Sequence, residues 1–470
     1  MRSSFQVLLA LALGLSTSLA SAQGPNQNFE QEAQTPARTE QTQAQAAQSA
    51  AEASKLEASE ADMSITYDQI LAKPDDVELN YRYARAQIAR GELKSAAATL
   101  ERVLLVNPDL AKVRLLYAVV LLRLDNLIEA QQELETLKAL PMPDSLRQEI
   151  DLYLSMIKKA RKRTHLFGAL SFGIENDDNR NATPSNDTML FFNAPVTLTG
   201  PTAMRHDDAS TLYLASVGLL HDLGYQEGHT IFANYSYYRA EQASVKNLNL
   251  QAHSVNGGGT YKSSWVNVTP SIVFDHIVLA QTTFMRDWGG RVRFDKQINR
   301  NFSVYMDYKD VEQQYQPTVI VPTGPQRDGA EMDFLWGGDY VLSPTMKLGA
   351  AYGYTIKNAN LESLSYNRNL IMLTHQWLLP KGMFLFTSLA FNYDQYDQPD
   401  FTVSPLFRRD IWGRVSINYG IPLALAHPAL KDFLATVSYE YFEANSTIMN
   451  YSYTNNKEML MLTYRWDAAF

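Results

Sequence analysis

The side chains that could do chemistry are few and dispersed. The eight histidines, His165, His206, His221, His229, His253, His276, His375 and His427, are candidate acid–base groups or metal ligands, but they share no common spacing. The chain has no H-E-x-x-H, no G-x-S-x-G and no P-loop, so no metal ligand set, nucleophile elbow or phosphate cradle is spelled out. With no cysteine, thiol catalysis, disulfides, Cys-ligated zinc and iron–sulfur clusters are excluded. An N-terminal lipid anchor on the mature chain is excluded with them. Glu175, Asp177 and Asp178 could hold calcium at a loop; the alternative is a solvated loop end. Gly257, Gly258 and Gly259 lie in a strand-like pattern and mark a bend or a close strand approach rather than a phosphate site. The sequence therefore predicts no enzyme and no cofactor.

Charge narrows the partners. Lys+Arg total 41 against 50 Asp+Glu, a net charge of −9, so nothing neutralises a phosphate backbone and no nucleic-acid partner is expected.

The elements that position these residues fall into four segments. Residues 1–22 read as a signal peptide: Arg2 gives a positive start, Phe5 to Leu15 is mostly apolar, and Ala20-Ser21-Ala22 is a small-x-small cleavage site. The apolar run is too short for a membrane anchor, and no later stretch is long and apolar enough to span as a helix. Residues 23–61 are a low-complexity linker rich in Gln, Ala, Glu, Thr and Ser, with too little apolar surface to offset chain entropy. It either tethers or simply connects.

Residues 62–163 read as a helical array. Tyr83, Ala84, Gly91, Ala96, Leu100 and Pro108 recur, at a period of 34 residues, as Tyr117, Ala118, Asp125, Ala130 and Leu134, while Pro74 precedes Pro108 by the same step. Small Ala84 and Ala96 allow two helices to approach, and Asn107-Pro108 ends the second helix. This is the tetratricopeptide pattern. Such arrays bind peptides or proteins on a concave face, here expected around Tyr81, Arg85, Arg114 and Leu122. The alternative is that the array packs against the next domain. The basic run Lys158, Lys159, Arg161, Lys162, Arg163 suits a helix C-terminus and equally an anionic headgroup layer.

From residue 164 to 470 a two-residue period replaces the helical one. Val266, Val268, Ile272 and Phe274 share one face, and Asn267, Thr269, Ser271 and Asp275 the other. Met346, Leu348, Ala350, Tyr352, Tyr354 and Ile356 likewise oppose Lys347, Gly349, Ala351, Gly353, Thr355 and Lys357. A soluble sandwich alternates too. Long strands, a small-and-charged polar face and aromatic residues near strand ends instead predict a transmembrane barrel. Fourteen strands are expected, at about 166–175, 209–221, 228–239, 247–261, 264–275, 283–295, 301–311, 329–342, 345–357, 365–378, 382–394, 407–420, 432–443 and 457–470. Connections 176–208, 312–328, 395–406 and 444–456 are long and alternate with short turns, which places the turns in the periplasm and the loops outside. The end of the chain, with Tyr464, Trp466 and Phe470 on alternate positions, reads as a barrel assembly signal for the outer-membrane assembly machinery.

The fold class expected is thus α + β in two domains: a tetratricopeptide array followed by a fourteen-stranded antiparallel transmembrane barrel. In these repeats, in the stretch Gly173-Ile-Glu-Asn-Asp-Asp-Asn-Arg-Asn-Ala182 and in the aromatic C-terminus, the chain resembles the surface lipoprotein assembly modulator (Slam) family. The resemblance implies an outer-membrane translocon, its N-terminal domain in the periplasm. Its partners would be an exported protein, lipoprotein or soluble haem- or metal-acquisition protein, together with the assembly machinery and outer-membrane lipid. A polysaccharide export porin with tetratricopeptide repeats, or a passive porin with an interaction domain, are the alternatives.

Overall fold

The computed structural model describes residues 60–470 apart from Asp125, Pro141, Arg161, 200–203, 226–227 and 319–320. The segments read as signal peptide and linker lie outside the described residues, except that residues 60–61 already belong to the first helix. The chain divides into two compact units between Lys162 and Arg163.

The helical unit contains α1 (Glu60–Met63), α2 (Tyr67–Ala72), α3 (Val77–Ala89), α4 (Leu93–Val106), α5 (Ala111–Arg123), α6 (Leu127–Lys138) and α7 (Asp144–Ala160). α3 begins at Asp76, whose carboxylate accepts from the Leu79 amide at 3.0 Å and satisfies one orphan donor. It ends at Gly91, where φ is +81°. α4 stops at Asn107 because Pro108 cannot continue it. α5 is apolar almost all round, and its faces are buried accordingly. One core joins α3 to α7, with Ala84, Ala96, Leu100, Ala130, Leu134 and Ile150 wholly buried. Each buried Leu contributes about 1.5–3 kcal/mol.

The second unit is a closed barrel. Its strands are β1 (Thr164–Asp177), β4 (Asp208–Asp222), β5 (Thr230–Gln242), β6 (Leu250–Thr260), β7 (Asn267–Leu279), β8 (Thr282–Gln297), β9 (Phe302–Tyr315), β10 (Gly329–Ser343), β11 (Met346–Lys357), β12 (Tyr366–Leu378), β13 (Phe384–Tyr396), β14 (Arg409–Pro422), β15 (Phe433–Ser446) and β16 (Tyr453–Ala469). Every neighbour is antiparallel, and β1 closes on β16 from His165↔Ala469 to Asp177↔Lys457. Closure removes the free edges that would be unsatisfiable in lipid. The shortest barrel strand, β6, has 11 residues, enough to cross a bilayer.

The alternation sets the faces. On β7, Ile272 and Phe274 are exposed on the outside, while Thr269 and Asp275 point to the lumen. Two features differ from the sequence reading. The connection read as 176–208 folds its own hairpin, β2 (Thr188–Phe191) with β3 (Ala194–Thr197). The connection from β7 to β8 lies at the long-loop end, yet it is the two-residue turn Ala280-Gln281, both at positive φ. At Gly258 an added Cβ would sit 2.1 Å from the Pro270 carbonyl oxygen, so the triple glycine marks a close strand approach.

Candidate functional site

The lumen concentrates the polar side chains of the second unit, and its wall is two-sided. From β8 through β16 the inward positions carry a chain of ion pairs. Arg291 grips Asp307 with Nε at 2.8 Å from Oδ1 and Nη2 at 2.6 Å from Oδ2. Arg293 lies on the Tyr305 ring, 4.3 Å from its centroid. Gly337 leaves room for that ring, since a Cβ there would meet it at 2.3 Å. Lys347 pairs with Asp339 at 3.2 Å, and Arg368 makes two bonds of 2.7 Å to Asp394. Arg414 faces Glu440 at 3.6 Å and Lys457 faces Asp177 at 3.8 Å. Arginine suits these positions because its planar fork matches a carboxylate.

The other wall is neutral. Along β4 from Ser210 to Leu220, along β5 and β6, and on β7 from Thr269 to Val273, the inward side chains are Ser, Thr, Asn, Gly, Ala, Leu, Phe, Tyr and their like, with no charge. The lumen thus offers a charged surface opposite an uncharged one.

The two ends of the lumen differ. Toward the long connections the polar residues are buried: Asp287, Asn392, Asp394 and Asp410 are each at most 3% exposed. Toward the short turns the corresponding Asn234, Asn256, Gln376 and Asn418 are half-buried. The burial comes from connections folded over the mouth. Val321, in the connection from β9 to β10, packs among Leu248, Ala252, Ile277 and Leu279. In the same connection Arg327 is buried, and desolvation lowers its pKa against the pull of Tyr315 and Tyr451. The β2–β3 hairpin is fixed from the other side. The Leu190 amide donates to Asn450 Oδ1 at 2.6 Å, Asn450 Nδ2 donates to the Leu190 carbonyl at 2.9 Å, and the Phe192 amide donates to the Thr402 carbonyl at 2.9 Å. Leu190, Val403, Ile448 and Tyr451 form its small core. Arg408 lies 3.3 Å from the Tyr451 ring centroid and 4.3 Å from that of Tyr396, and donates to Asp410 at 2.5 Å.

The acidic stretch at the end of β1 is not a solvated loop end. Arg180 reaches Glu175 and Asp177, and Asn179 Nδ2 donates to the Thr454 carbonyl at 3.0 Å. Asp178 accepts from the amide and side chain of Asn456, at 2.8 and 2.7 Å, and from Arg205 at 2.6 Å. Burial raises the Asp178 pKa, but these donors outweigh it and hold the carboxyl below its ordinary value. The stretch clasps β1 to β16. Among the described residues no group of three acidic or histidine side chains could hold a metal.

In the helical unit Tyr83, Ala84, Ala96, Leu100, Tyr117, Ala118, Ala130 and Leu134 are all buried. Tyr117 Oη donates to Glu129 at 2.7 Å; burial first, then that bond, raises its pKa. Of the four expected groove residues, Tyr81, Arg85, Arg114 and Leu122, the two arginines are engaged within the helical unit. Arg85 joins Arg82 on Asp62, whereas Arg114 turns into its own hairpin to Glu133 and the Pro108 carbonyl, 2.6 Å away. Tyr81 and Leu122 are half-buried against the core. Register sets Arg114 apart: Tyr81 and Arg85 correspond, one repeat on, to Leu115 and Val119, and Arg114 stands one helical position before Leu115. At the chain end Tyr464 stands on the outer face 5.1 Å from the Phe433 ring, and Trp466 lies over Gly168. The Phe470 amide donates to the Thr164 carbonyl at 2.8 Å, with the ring exposed. Sequence reasoning missed the ion-pair chain; its signal was Arg, Lys and Asp recurring on the polar face of successive strands.

A family model described as "Tetratricopeptide repeat" matches residues 66–111, and one described as "Surface lipoprotein assembly modifier" matches residues 168–465. No curated protein matches. Among solved structures, OccAB4 of Acinetobacter baumannii is 10% identical, with 66% of this chain and 99% of that one covered and a TM-score of 0.33. In-vitro folded OmpT, an outer membrane protein of Vibrio cholerae, is 7% identical over 64% and 97%, with a TM-score of 0.37. A Pseudomonas aeruginosa FadL homologue is 9% identical over 65% and 90%, with a TM-score of 0.34.

Proposed function

The chain belongs to the surface lipoprotein assembly modifier family, and from that premise we propose that it exports a protein from the periplasm to the cell surface through its own barrel. It is an outer-membrane barrel, and family and fold point to transport or assembly rather than to an enzyme. At family level its role is surface-lipoprotein assembly. The substrate would be a surface lipoprotein or a soluble haem- or metal-acquisition protein.

The observation that carries this reading is the shape of the lumen: accessible polar walls toward the short turns, and a mouth covered by connections at the other end. The chain enters β1 at the short-turn end, so the helical unit of residues 62–163 would lie in the periplasm and receive the substrate. Export would displace the connections at the mouth, while the clasp around Asp178 keeps β1 and β16 joined. Tyr464, Trp466 and Phe470 would serve recognition by the assembly machinery. Replacing Phe470 by Asp should then lower the amount of heat-modifiable barrel in outer-membrane fractions; unchanged levels would remove that role.

The direct test is deletion of the gene followed by comparison of surface and supernatant proteomes. The expected result is loss of one or a few proteins from the surface or medium, with accumulation in the periplasm. An unchanged protein profile together with altered surface polysaccharide would contradict protein export.

A further inference from the structure

The outward face of the barrel is mostly apolar, as lipid requires. On β5 to β8 a group of basic side chains interrupts it. His253 on β6 pairs across the ladder with His276 on β7, and His276 with Arg286 on β8, so the three stand in one row. The two imidazoles stack at 5.8 Å and 21°. Tyr235 Oη and His253 Nδ1 are 3.0 Å apart, and the Tyr237 ring lies 5.0 Å from the His253 ring. Of the outward carboxylates on the flanking strands, Glu241 is engaged by Arg239, and Glu312 stands opposite Trp288, with Gln314 opposite Arg286.

The height of this row is informative. One pair step toward the bilayer stand Phe274 and Trp288, both exposed, and below them Ile272. Two such aromatic residues mark an interfacial girdle. Above the row the strands turn at once through Ala280-Gln281, so no long connection shields it. A hydrogen-bonding row of two imidazoles and one guanidinium just outside an aromatic girdle stands at the level of lipid headgroups.

We propose that His253, His276 and Arg286 bind the phosphate groups of a phosphorylated glycolipid in the outer leaflet, with its acyl chains lying along Phe274, Trp288 and Ile272. The adjoining apolar surface selects a lipid over free phosphate, which has nothing to place there. This inference needs the outer-membrane location and the orientation proposed above; it does not need protein export.

The test uses the full-length protein in detergent micelles containing either bisphosphorylated lipid A or its dephosphorylated form, with bound lipid counted after gel filtration. Wild type should retain the bisphosphorylated form and release the dephosphorylated one. Arg286→Gln should weaken retention about fivefold, the effect expected for one surface cation. His253→Gln should weaken it as well, whereas Arg286→Lys and Arg409→Gln, the latter outward-facing on β14, should retain binding. Heat-modifiable migration of each sample reports an intact barrel, and if Arg286→Gln does not fold, His253→Gln against Arg286→Lys makes the same comparison. Equal retention of the two lipids by wild type, or undiminished retention by folded Arg286→Gln and His253→Gln, would overturn the proposal.

Discussion

The helical unit and the barrel bury opposite kinds of side chain. In the first, wholly buried core positions are Leu, Ile, Val and Ala, held by packing, with Asn80 a hydrogen-bonded polar residue among them. In the second, much of what is deeply buried is Asp, Arg and Asn, while Ile272, Leu460 and Val437 face outward. One rule explains both: apolar surface goes to the apolar medium, which is the protein's own core in water and the acyl chains in a membrane. Stability of the helical unit therefore rests on volume, and that of the barrel interior on pairing.

The contrast can be broken where it is steepest. Arg368→Ala would leave Asp394, 1% exposed, as an uncompensated charge, and should destabilise the barrel by about 3–5 kcal/mol. Arg368→Met with Asp394→Leu should recover most of the loss. Unfolding in urea from detergent micelles reads both, and a small effect of the single change would mean that water reaches the pair.

Leu134→Ala should cost the helical unit about 2–5 kcal/mol by leaving a cavity, with barrel heat-modifiability unchanged. Limited proteolysis on the full chain would show faster cleavage within 62–163, with the barrel left intact. Parallel loss of barrel folding would show that the two regions are not energetically separate.

The barrel faces can be set against each other directly. Val268→Arg, outward, should destabilise the barrel by up to about 2–4 kcal/mol, and Thr269→Arg, inward, by clearly less. Equal costs in a refolding titration would reverse the face assignment.

The smallest effect is expected at the clasp. The donors around Asp178 lower its folded pKa, so the stabilisation it contributes is present above the ordinary carboxylate range and is lost as pH falls through the lowered value. Asp178→Ala should weaken the barrel modestly at neutral pH, and its difference from wild type should vanish in acid. A difference that persists at low pH would assign the effect to packing instead.

Periodicity carried most of the architecture. A two-residue alternation around Val268 and Thr269 indicates a strand with an inside and an outside, and the recurrence of Tyr83, Ala84 and Leu100 as Tyr117, Ala118 and Leu134 indicates stacked hairpins. What pairs with what was not legible. Arg368 and Asp394 lie 26 residues apart, and their meeting depends on strand register, which the turn after β12 fixes. The position of Arg114 was also not legible: one helical position separates it from Leu115, the counterpart of Tyr81, a rotation of about 100°. The β2–β3 hairpin was hidden because its strands are too short to show a period.

In the proposed function the helical unit delivers a protein to a barrel that stands without it. Deleting residues 62–160 while keeping the leader and barrel tests it most directly, with barrel insertion and substrate location measured in the same cells. The account predicts a normally inserted, heat-modifiable barrel, because its strands close on themselves, together with substrate trapped in the periplasm. Normal insertion with export continuing at the full rate would contradict it.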